Sequence, residues 1–186
     1  MSGRLRVVGG VLSGRRFAAR VEKVTRPTSD RVREAIASAV EARGGFEGTR
    51  VLDLFAGTGA MAIEALSRGA TSAVLVERDR AAARGITESL AALGLGDRTQ
   101  VVTGEAGGRA LAGPFDRVFV DPPYAEVAAV PALLEALAQE LVAGALVVVE
   151  HPSKARVVLG RRFETLTEKR YGDSAVLLAR YAPPPP

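Results

Sequence analysis

The chain contains no cysteine, and His151 is the only histidine among its 186 residues. Without cysteine the protein cannot form disulfide bonds, cysteine-ligated zinc sites or a thiolate nucleophile. Catalytic dyads and triads built on cysteine are excluded for the same reason. Any chemistry must therefore depend on carboxylates, hydroxyls, backbone groups or a bound cofactor, and we predict no metal site.

Long hydrophobic runs are also missing, because no stretch reaches the roughly eighteen apolar residues that indicate a membrane-spanning helix. The N-terminal sequence has neither the apolar segment nor the cleavage site of a signal peptide. Hydrophobic residues make up 47% of the composition, which suits one globular unit with a substantial core. We therefore expect a cytoplasmic protein, and a monomer.

Positive charge is concentrated near the N-terminus. Residues 1–43 carry ten Lys and Arg against four Asp and Glu, whereas the remainder carries fifteen against seventeen. Such a surplus in one segment favours a polyanionic partner such as nucleic acid, with a generic solvated surface as the alternative. The asymmetry suggests a basic arm at 1–43, a core at 44–182 and a proline tail at 183–186 that we expect to be disordered.

The arm has its own pattern. Two short runs, Arg4–Val8 and Arg15–Phe17, enclose a glycine-containing segment and predict a β-hairpin on the surface. A helix is predicted after the hairpin, because residues 28–30 are all suitable N-caps and precede a helical stripe of apolar residues that ends near Gly44. The stripe consists of Val32, Ile36 and Val40.

From residue 50 onward, strands and helices alternate. The predicted strands are Val51–Phe55, Ala73–Glu77, Gln100–Thr103, Arg117–Asp121 and Ala145–Glu150. The predicted helices are Ala60–Ser67, Arg80–Leu93, a short one near Arg109, and Val130–Leu141. Near-continuous apolar strands joined by helices indicate an α/β fold, a Rossmann-like parallel sheet covered on both faces. Two further strands, Phe163–Tyr171 and Ser174–Tyr181, flank a Gly-Asp turn and predict an antiparallel C-terminal hairpin, which makes seven strands.

A glycine-rich loop joins the first of these strands to its helix. Gly57 and Gly59 lie in a G-x-G-x-x-A pattern, and Glu77 ends the second strand twenty residues later. This is the outline of a nucleotide site, in which the acid accepts hydrogen bonds from ribose hydroxyls. A tight turn without a ligand is the alternative.

Asp53, a few residues before the glycines, distinguishes between the possible nucleotide cofactors. Asp53 lies where a dinucleotide would place its pyrophosphate, and a fixed carboxylate there would repel the phosphates. S-adenosylmethionine has no phosphate and carries an ammonium and a sulfonium, so Asp53 favours this cofactor. Glu105, followed by Ala106 after the third strand, is a candidate acceptor for the adenine amino group, or else a solvated loop acid.

The fourth strand ends in Asp121-Pro122-Pro123-Tyr124, at the same edge of the sheet as the glycine loop. The Asp121 carboxylate and the Pro122 carbonyl could each accept an N–H of an exocyclic amine and turn its lone pair towards a methyl donor. The prolines remove competing N–H donors. Tyr124 could stack on the base, which contributes about 1–3 kcal/mol. A structural proline turn would leave the acid and the aromatic ring unexplained.

These motifs together resemble the amino-methyltransferases, which modify base amines or a related glutamine amide. Four further segments resemble more specifically the bacterial 16S rRNA guanine-N2 methyltransferases of the RsmD type, and the match spans residues 4–181 with its motifs in order: Arg6–Gly10, Gly14–Arg16, Arg26–Ala35 and Lys169–Asp173. The resemblance implies methyl transfer from S-adenosylmethionine to the N2 amine of one guanine in the small-subunit rRNA, on an assembled or nearly assembled particle.

The resemblance also assigns roles to residues. Asp53, Gly57, Gly59 and Glu77 would bind the cofactor, and residues 121–124 would hold the guanine amine. Thr28 would close over the methionine end of the cofactor. Four arginines of the arm would contact rRNA phosphates: Arg4, Arg6, Arg15 and Arg16.

Other functions remain open from the sequence. A DNA amino-methyltransferase would need a target-recognition domain for which 186 residues leave no room. A glutamine methyltransferase would not use the basic arm, and a non-catalytic RNA-binding assembly factor would not need both motifs intact. A nicotinamide-dependent oxidoreductase is disfavoured by Asp53. We expect His151 to lie in a loop near the rim of the cleft and not to act as a general base.

Overall fold

The structure is a computed structural model, and it describes residues 2–20, 29–108 and 111–183. Thr28, the short helix predicted near Arg109 and the tail from residue 184 lie outside the described residues. Among the residues that are described, no helix has the length and apolar character needed to cross a membrane.

The elements follow in chain order. The arm contains strands β1 (Ser2–Arg6) and β2 (Arg16–Arg20) and helix α1 (Asp30–Glu41). The first half of the core contains β3 (Arg50–Leu54), α2 (Ala60–Ser67), β4 (Ser72–Glu77), α3 (Arg80–Ala92) and β5 (Thr99–Thr103). The second half contains β6 (Phe115–Val120), α4 (Val130–Leu137), β7 (Leu141–Pro152), β8 (Phe163–Tyr171) and β9 (Ser174–Tyr181).

Seven strands form one sheet in the order β5-β4-β3-β6-β7-β9-β8. The first five are parallel to their neighbours, and β9 runs antiparallel to both β7 and β8. This is the predicted parallel sheet with an antiparallel C-terminal hairpin. Because β3 and β6 are adjacent and parallel, the loops that follow them meet at one edge of the sheet.

Both faces of the sheet are covered, as the apolar strands predicted. One core lies under α1, α2 and α3, and it includes Ile36, Ile63 and Ile86. The other lies under α4 and is built on the opposite faces of the same strands. The predicted stripe of α1 is buried, and Ser29 caps this helix by accepting a hydrogen bond from the Val32 N–H at 3.3 Å.

Strand β7 differs most from the prediction. It begins at Leu141, whereas the prediction began it at Ala145. The predicted helix to Leu141 is correspondingly shorter, because α4 ends at Leu137 and a short 3-10 turn follows at Ala138–Glu140. The reason is a long-range pairing, since Leu141 lies opposite Phe115 of β6 and both side chains are buried. Sheet pairing therefore overrides a helical pattern that would have included Leu141.

The expectation that His151 lies in a loop is wrong. Strand β7 continues to Pro152, and His151 lies opposite Ala175 of β9 with only 1% of its surface exposed. Its Nδ1 lies 3.0 Å from the Pro152 carbonyl oxygen, and its Nε2 lies 3.5 Å from Glu168. The imidazole is thus a side chain of the packed sheet.

The hairpin of the arm is confirmed, but its first strand ends earlier than predicted. Residues 7–14 form the loop that follows, and its ends stay joined, because the Val7 N–H donates to the Arg15 carbonyl and the Gly14 N–H donates to the Val7 carbonyl, each at 2.9 Å. The hairpin is also less superficial than expected, because Val7 and Phe17 are buried in the same core as α1 and α2. The Ser89 hydroxyl of α3 donates to the Ala18 carbonyl at 2.7 Å and fixes β2 against that helix.

Candidate cofactor and substrate site

The loop after β3 has an unusual backbone. Phe55, Gly57 and Gly59 all have positive φ angles, of 61°, 55° and 73°. A side chain at Gly59 would approach Ile86 and Leu75 to 3.1 and 3.3 Å, so glycine is needed there for packing as well as for conformation. A positive φ at Phe55 is uncommon for a bulky residue, and such strain is concentrated at binding sites.

Glu77 holds this loop in place. One of its carboxylate oxygens accepts the Gly57 N–H and the other accepts the Asp79 N–H, each at 2.8 Å. Each oxygen keeps a further lone pair, so the carboxylate can still accept ribose hydroxyls as the sequence predicted. Sequence reasoning missed the first of these roles, which makes Glu77 a support for the glycine loop as well as a candidate ligand.

Asp53 is a buried carboxyl, 4% exposed, on the last part of β3. The Ala62 N–H of α2 donates to its Oδ2 at 3.1 Å. Burial raises the pKa of Asp53 well above its usual range, the hydrogen bond from Ala62 opposes this, and the nearby charges of Asp121 and Glu77 raise it further. The charges of two further acids therefore act on Asp53, and a cation bound beside it would favour its ionised form.

The segment from Asp121 to Tyr124 follows β6 immediately. Since Leu54 pairs with Val120, Asp121 lies beside the start of the glycine loop. The Pro123 carbonyl accepts the Glu126 N–H at 2.8 Å and begins a 3-10 helix at Tyr124–Ala129. Tyr124 is 60% exposed, so its ring is accessible from solvent. Asp53, Gly57, Gly59 and Glu77 thus lie at the same edge of the sheet as residues 121–124.

A small pocket of about 120 Å³ lies beside these loops. Its walls are mainly apolar, and two acids lie at its rim, Glu105 and Glu126. The apolar lining consists of Phe55, Ala106, Ala129, Val130 and Leu133. Glu105 and Ala106 therefore line this pocket, and their contact with adenine stays a prediction.

Comparison with known proteins identifies the family of the chain. The family model described as "Conserved hypothetical protein 95" matches residues 5–180. The chain belongs to this family. Ribosomal RNA small subunit methyltransferase D of Escherichia coli is 39% identical over 124 residues, which are 66% of this chain and 62% of that protein. The YlbH protein of Bacillus subtilis is 40% identical over 128 residues, or 66% of this chain and 68% of that one.

Solved structures agree with this membership. The Escherichia coli protein yhhF superimposes with a TM-score of 0.83 at 33% identity, covering 97% of this chain and 99% of that one. An RNA methyltransferase of Salinibacter ruber in complex with S-adenosyl-L-homocysteine gives a TM-score of 0.68 at 17% identity, covering 87% and 97%. This family member has the fold of S-adenosylmethionine-dependent methyltransferases, as the sequence predicted.

The four predicted RNA-binding arginines of the arm do not all lie on one face of the hairpin. Arg6 pairs with Arg16 across the hairpin, and Arg4, Arg6 and Arg16 alternate with the buried positions, so they share its outer face. Arg6 also lies 3.4 Å from Asp30. Arg15 lies outside this row, and its guanidinium donates to the Ala92 carbonyl of α3 at 3.3 Å.

The loop at residues 7–14 is anchored on α2 by a buried acid that sequence reasoning missed. The Glu64 carboxylate is 1% exposed and accepts the Val8 and Gly9 N–H groups at 2.9 and 2.7 Å. Arg68 also donates to it, at 2.9 Å. A side chain at Gly9 would collide with the Arg68 guanidinium, which explains one glycine of the pair at residues 9–10. The only signal in the sequence was an acid within an otherwise apolar helix.

Proposed function

We propose that this protein transfers a methyl group from S-adenosylmethionine to the exocyclic N2 amine of a guanine in the 16S rRNA of the small ribosomal subunit. The observation that carries the proposal is the adjacency of residues 121–124 to Asp53 and the glycine loop on neighbouring strands β6 and β3. The E. coli relative named as an rRNA small subunit methyltransferase supports the choice of rRNA.

The residues of the cleft fit the cofactor. Asp53 is a buried acid surrounded by further acids, so the cationic methionine end would offset its unfavourable burial. Glu77 presents both carboxylate oxygens at the end of β4 for the ribose hydroxyls. The apolar pocket beside Ala106 suits the adenine ring. When bound, S-adenosylmethionine supplies an electrophilic methyl group.

The segment at 121–124 would position the target amine. The Asp121 carboxylate would accept one N–H of the guanine N2 group, and the Pro122 carbonyl would accept the other. The neighbouring Pro123 carbonyl is already engaged by the Glu126 N–H at 2.8 Å, so Pro122 is the proline whose carbonyl we assign to the substrate. Tyr124 is exposed beside it and can stack on the flipped base.

This arrangement does not require a strong base. The amine becomes strongly acidic only after methylation, so water can take the proton late in the reaction. Holding the amine and the methyl group in line can account for roughly 7–11 kcal/mol of rate enhancement. The buried His151 in β7, beside Glu168, is not assigned a part in this step.

The arm would hold the RNA backbone. The outer face of the hairpin presents Arg4, Arg6 and Arg16, which can contact phosphates without reading bases. We infer that the substrate is an assembled or nearly assembled small subunit and that the protein acts as a monomer in the cytoplasm.

The function can be tested with one variant and one control. Asp121→Ala should abolish methyl transfer to small subunits purified from a strain that lacks the gene, and leave cofactor affinity nearly unchanged. Asp97→Ala, at an exposed acid before β5, serves as the control. Mass mapping of rRNA nucleosides from the same strain, with and without the wild-type gene, identifies the modified base. Equal loss of binding and transfer in Asp121→Ala would contradict the assignment of Asp121 to the substrate.

A further inference from the structure

Arg78 connects the end of β4 with the 3-10 helix at Tyr124–Ala129 through an ion pair. It follows Glu77 directly, and its Nη1 lies 2.6 Å from Oε1 of Glu126 and 3.8 Å from Oε2 of Glu105. The hydrogen bond to Glu126 is the main cause of a raised pKa of Arg78. None of the roles assigned above uses Arg78.

Glu126 is tied to the substrate segment by its backbone. Its N–H donates to the Pro123 carbonyl at 2.8 Å, and it lies two residues after Tyr124 in the same 3-10 helix. The ion pair to Arg78 is therefore carried by the same short helix as Tyr124, next to the residues that we assign to the target amine. At the other end of the ion pair, Arg78 lies between Glu77, which supports the glycine loop, and Asp79, which caps α3.

The ion pair also lies at the rim of the pocket, because Glu105 and Glu126 both line it. Arg78 and Glu126 are 49% and 33% exposed, and an exposed pair of this kind contributes little to folding because water screens it. A flat ring that fills the pocket would displace water from one side of the pair. The lower effective dielectric would then strengthen the attraction between the two side chains.

We propose that the Arg78–Glu126 ion pair is a clasp that couples binding of the cofactor's adenosine to positioning of the target guanine. The inference rests on the proposed function, since it assigns the pocket to adenosine and residues 121–124 to the base. Arg78 and Glu126 are positioning residues and do not touch the reacting atoms. Cofactor binding strengthens the clasp, the clasp holds the substrate segment, and RNA binding must strengthen cofactor binding by the same factor.

The test measures this coupling directly. The dissociation constant of radiolabelled S-adenosyl-L-homocysteine is determined with and without saturating small subunits from a strain lacking the gene. The ratio of the two constants should be about two- to fivefold in the wild type and close to one in Arg78→Gln and Glu126→Gln. The double variant Arg78→Glu with Glu126→Arg restores the attraction and should recover part of the ratio.

A matched ion pair provides the control. Arg162 and Glu135 lie 2.5 Å apart with similar exposure, and they join α4 to the segment before β8. Arg162→Gln should retain the wild-type ratio. A wild-type ratio in both Arg78→Gln and Glu126→Gln would overturn the clasp. So would an equal drop in Arg162→Gln, because the effect would then belong to any lost ion pair.

The outcome is separable from the proposed function. Methyl transfer by the wild type is measured on the same particles, and failure there contradicts the proposed function. Transfer that proceeds normally while both clasp variants keep the wild-type ratio contradicts the clasp alone. A low ratio in the two single variants with recovery in the charge-reversed double supports it, since a merely structural role would not be rescued by reversal.

Discussion

Two buried acids close together in the chain illustrate how differently the same side-chain chemistry can be used. Glu64 in α2 is 1% exposed and accepts two backbone N–H groups and the Arg68 guanidinium. Asp53 in β3 is 4% exposed and accepts one N–H, from Ala62, while its charged neighbours Asp121 and Glu77 are themselves acids.

The difference shows that burial of an acid does not by itself mark a functional site. Glu64 has the partners that a buried carboxylate needs, so it stabilises the fold and holds the arm. Asp53 has fewer partners and unfavourable neighbours, so its burial costs free energy that a cationic ligand can offset. In this protein the number and the charge of the partners separate Glu64 from Asp53, the acid that we propose binds the cofactor.

The largest effect on stability should come from removing Glu64, the buried acid whose hydrogen bonds are all made within the protein. Glu64→Ala leaves two N–H groups and the Nε of Arg68 without their acceptor, although the same guanidinium keeps Glu34 at 2.8 Å, and we expect a loss of about 3 kcal/mol in the free energy of unfolding. Urea denaturation measures it, with Glu88→Ala at an exposed position of α3 as the control. A change below about 1 kcal/mol would mean that Glu64 is not the anchor of residues 8 and 9.

For Asp53 we expect a loss of cofactor affinity without a loss of stability. Asp53→Asn keeps the size of the side chain and removes the charge, so affinity for S-adenosylmethionine should fall by about 10- to 150-fold. The free protein should be as stable as the wild type, or more stable, near neutral pH. Isothermal titration and thermal melting give the two values. A large loss of stability without a loss of affinity would make Asp53 a second structural acid.

The contrast can be sharpened by pH. The pKa of Asp53 is raised in the folded protein, so the folded state binds more protons than the unfolded state between the ordinary value, about 3.9, and the raised one. The contribution of this group to the stability of the free protein is therefore complete below the ordinary pKa and is lost as pH rises through the raised pKa. Cofactor affinity should increase over the same interval, because a cation favours the ionised carboxyl. Asp53→Asn should flatten both dependences.

A smaller effect on cofactor affinity is expected at Glu77, which supports the glycine loop and is also the proposed acceptor for the ribose hydroxyls. Glu77→Gln keeps one oxygen as an acceptor but turns the other into a donor, facing either the Gly57 or the Asp79 N–H. We expect cofactor affinity to fall about tenfold, with a modest loss of stability of about 1 kcal/mol. Wild-type affinity in isothermal titration would show that this acid supports the loop without touching the ribose.

The smallest effect per residue should come from the outer face of the hairpin. Replacing Arg4 and Arg16 with Ala should weaken rRNA binding and lower the slope of log affinity against log salt by about 0.7–0.9 per lost phosphate contact. Melting temperature and cofactor affinity should hardly change, since both side chains are exposed. Arg161→Ala, at an exposed position before β8, is the control. Unchanged rRNA affinity and salt slope would assign the face to a solvated surface.

Much of the fold could be predicted from local patterns. Helix α2 and strands β8 and β9 have the predicted bounds, because apolar periodicity and turn residues define them within a short segment. The errors arose where distant residues decide. Leu141 joins β7 because it pairs with Phe115, and His151 is in a strand because β9 continues opposite it.

The candidate site was predictable in part for the same reason. Asp53, Glu77 and Asp121 could be found because strand ends of a parallel sheet meet at one edge. The ion pair beside these acids could not be found, since Arg78 and Glu126 are 48 positions apart and meet only in the folded chain. Likewise, an acid inside an apolar helix did not reveal that Glu64 would accept the N–H groups of residues 8 and 9.

Helix α2 has a consequence for experiments on shortened chains. It has only eight residues, about 12 Å in length, yet the glycine loop enters at one end and the loop at residues 7–14 docks at the other through Glu64 and Ser67. A chain that begins at residue 44 would leave the buried Glu64 facing water without its backbone donors and would uncover apolar surface beneath Phe17. Truncation would therefore disturb the helix that carries Ala62, the donor to Asp53, and loss of activity in such a chain would say nothing about RNA binding.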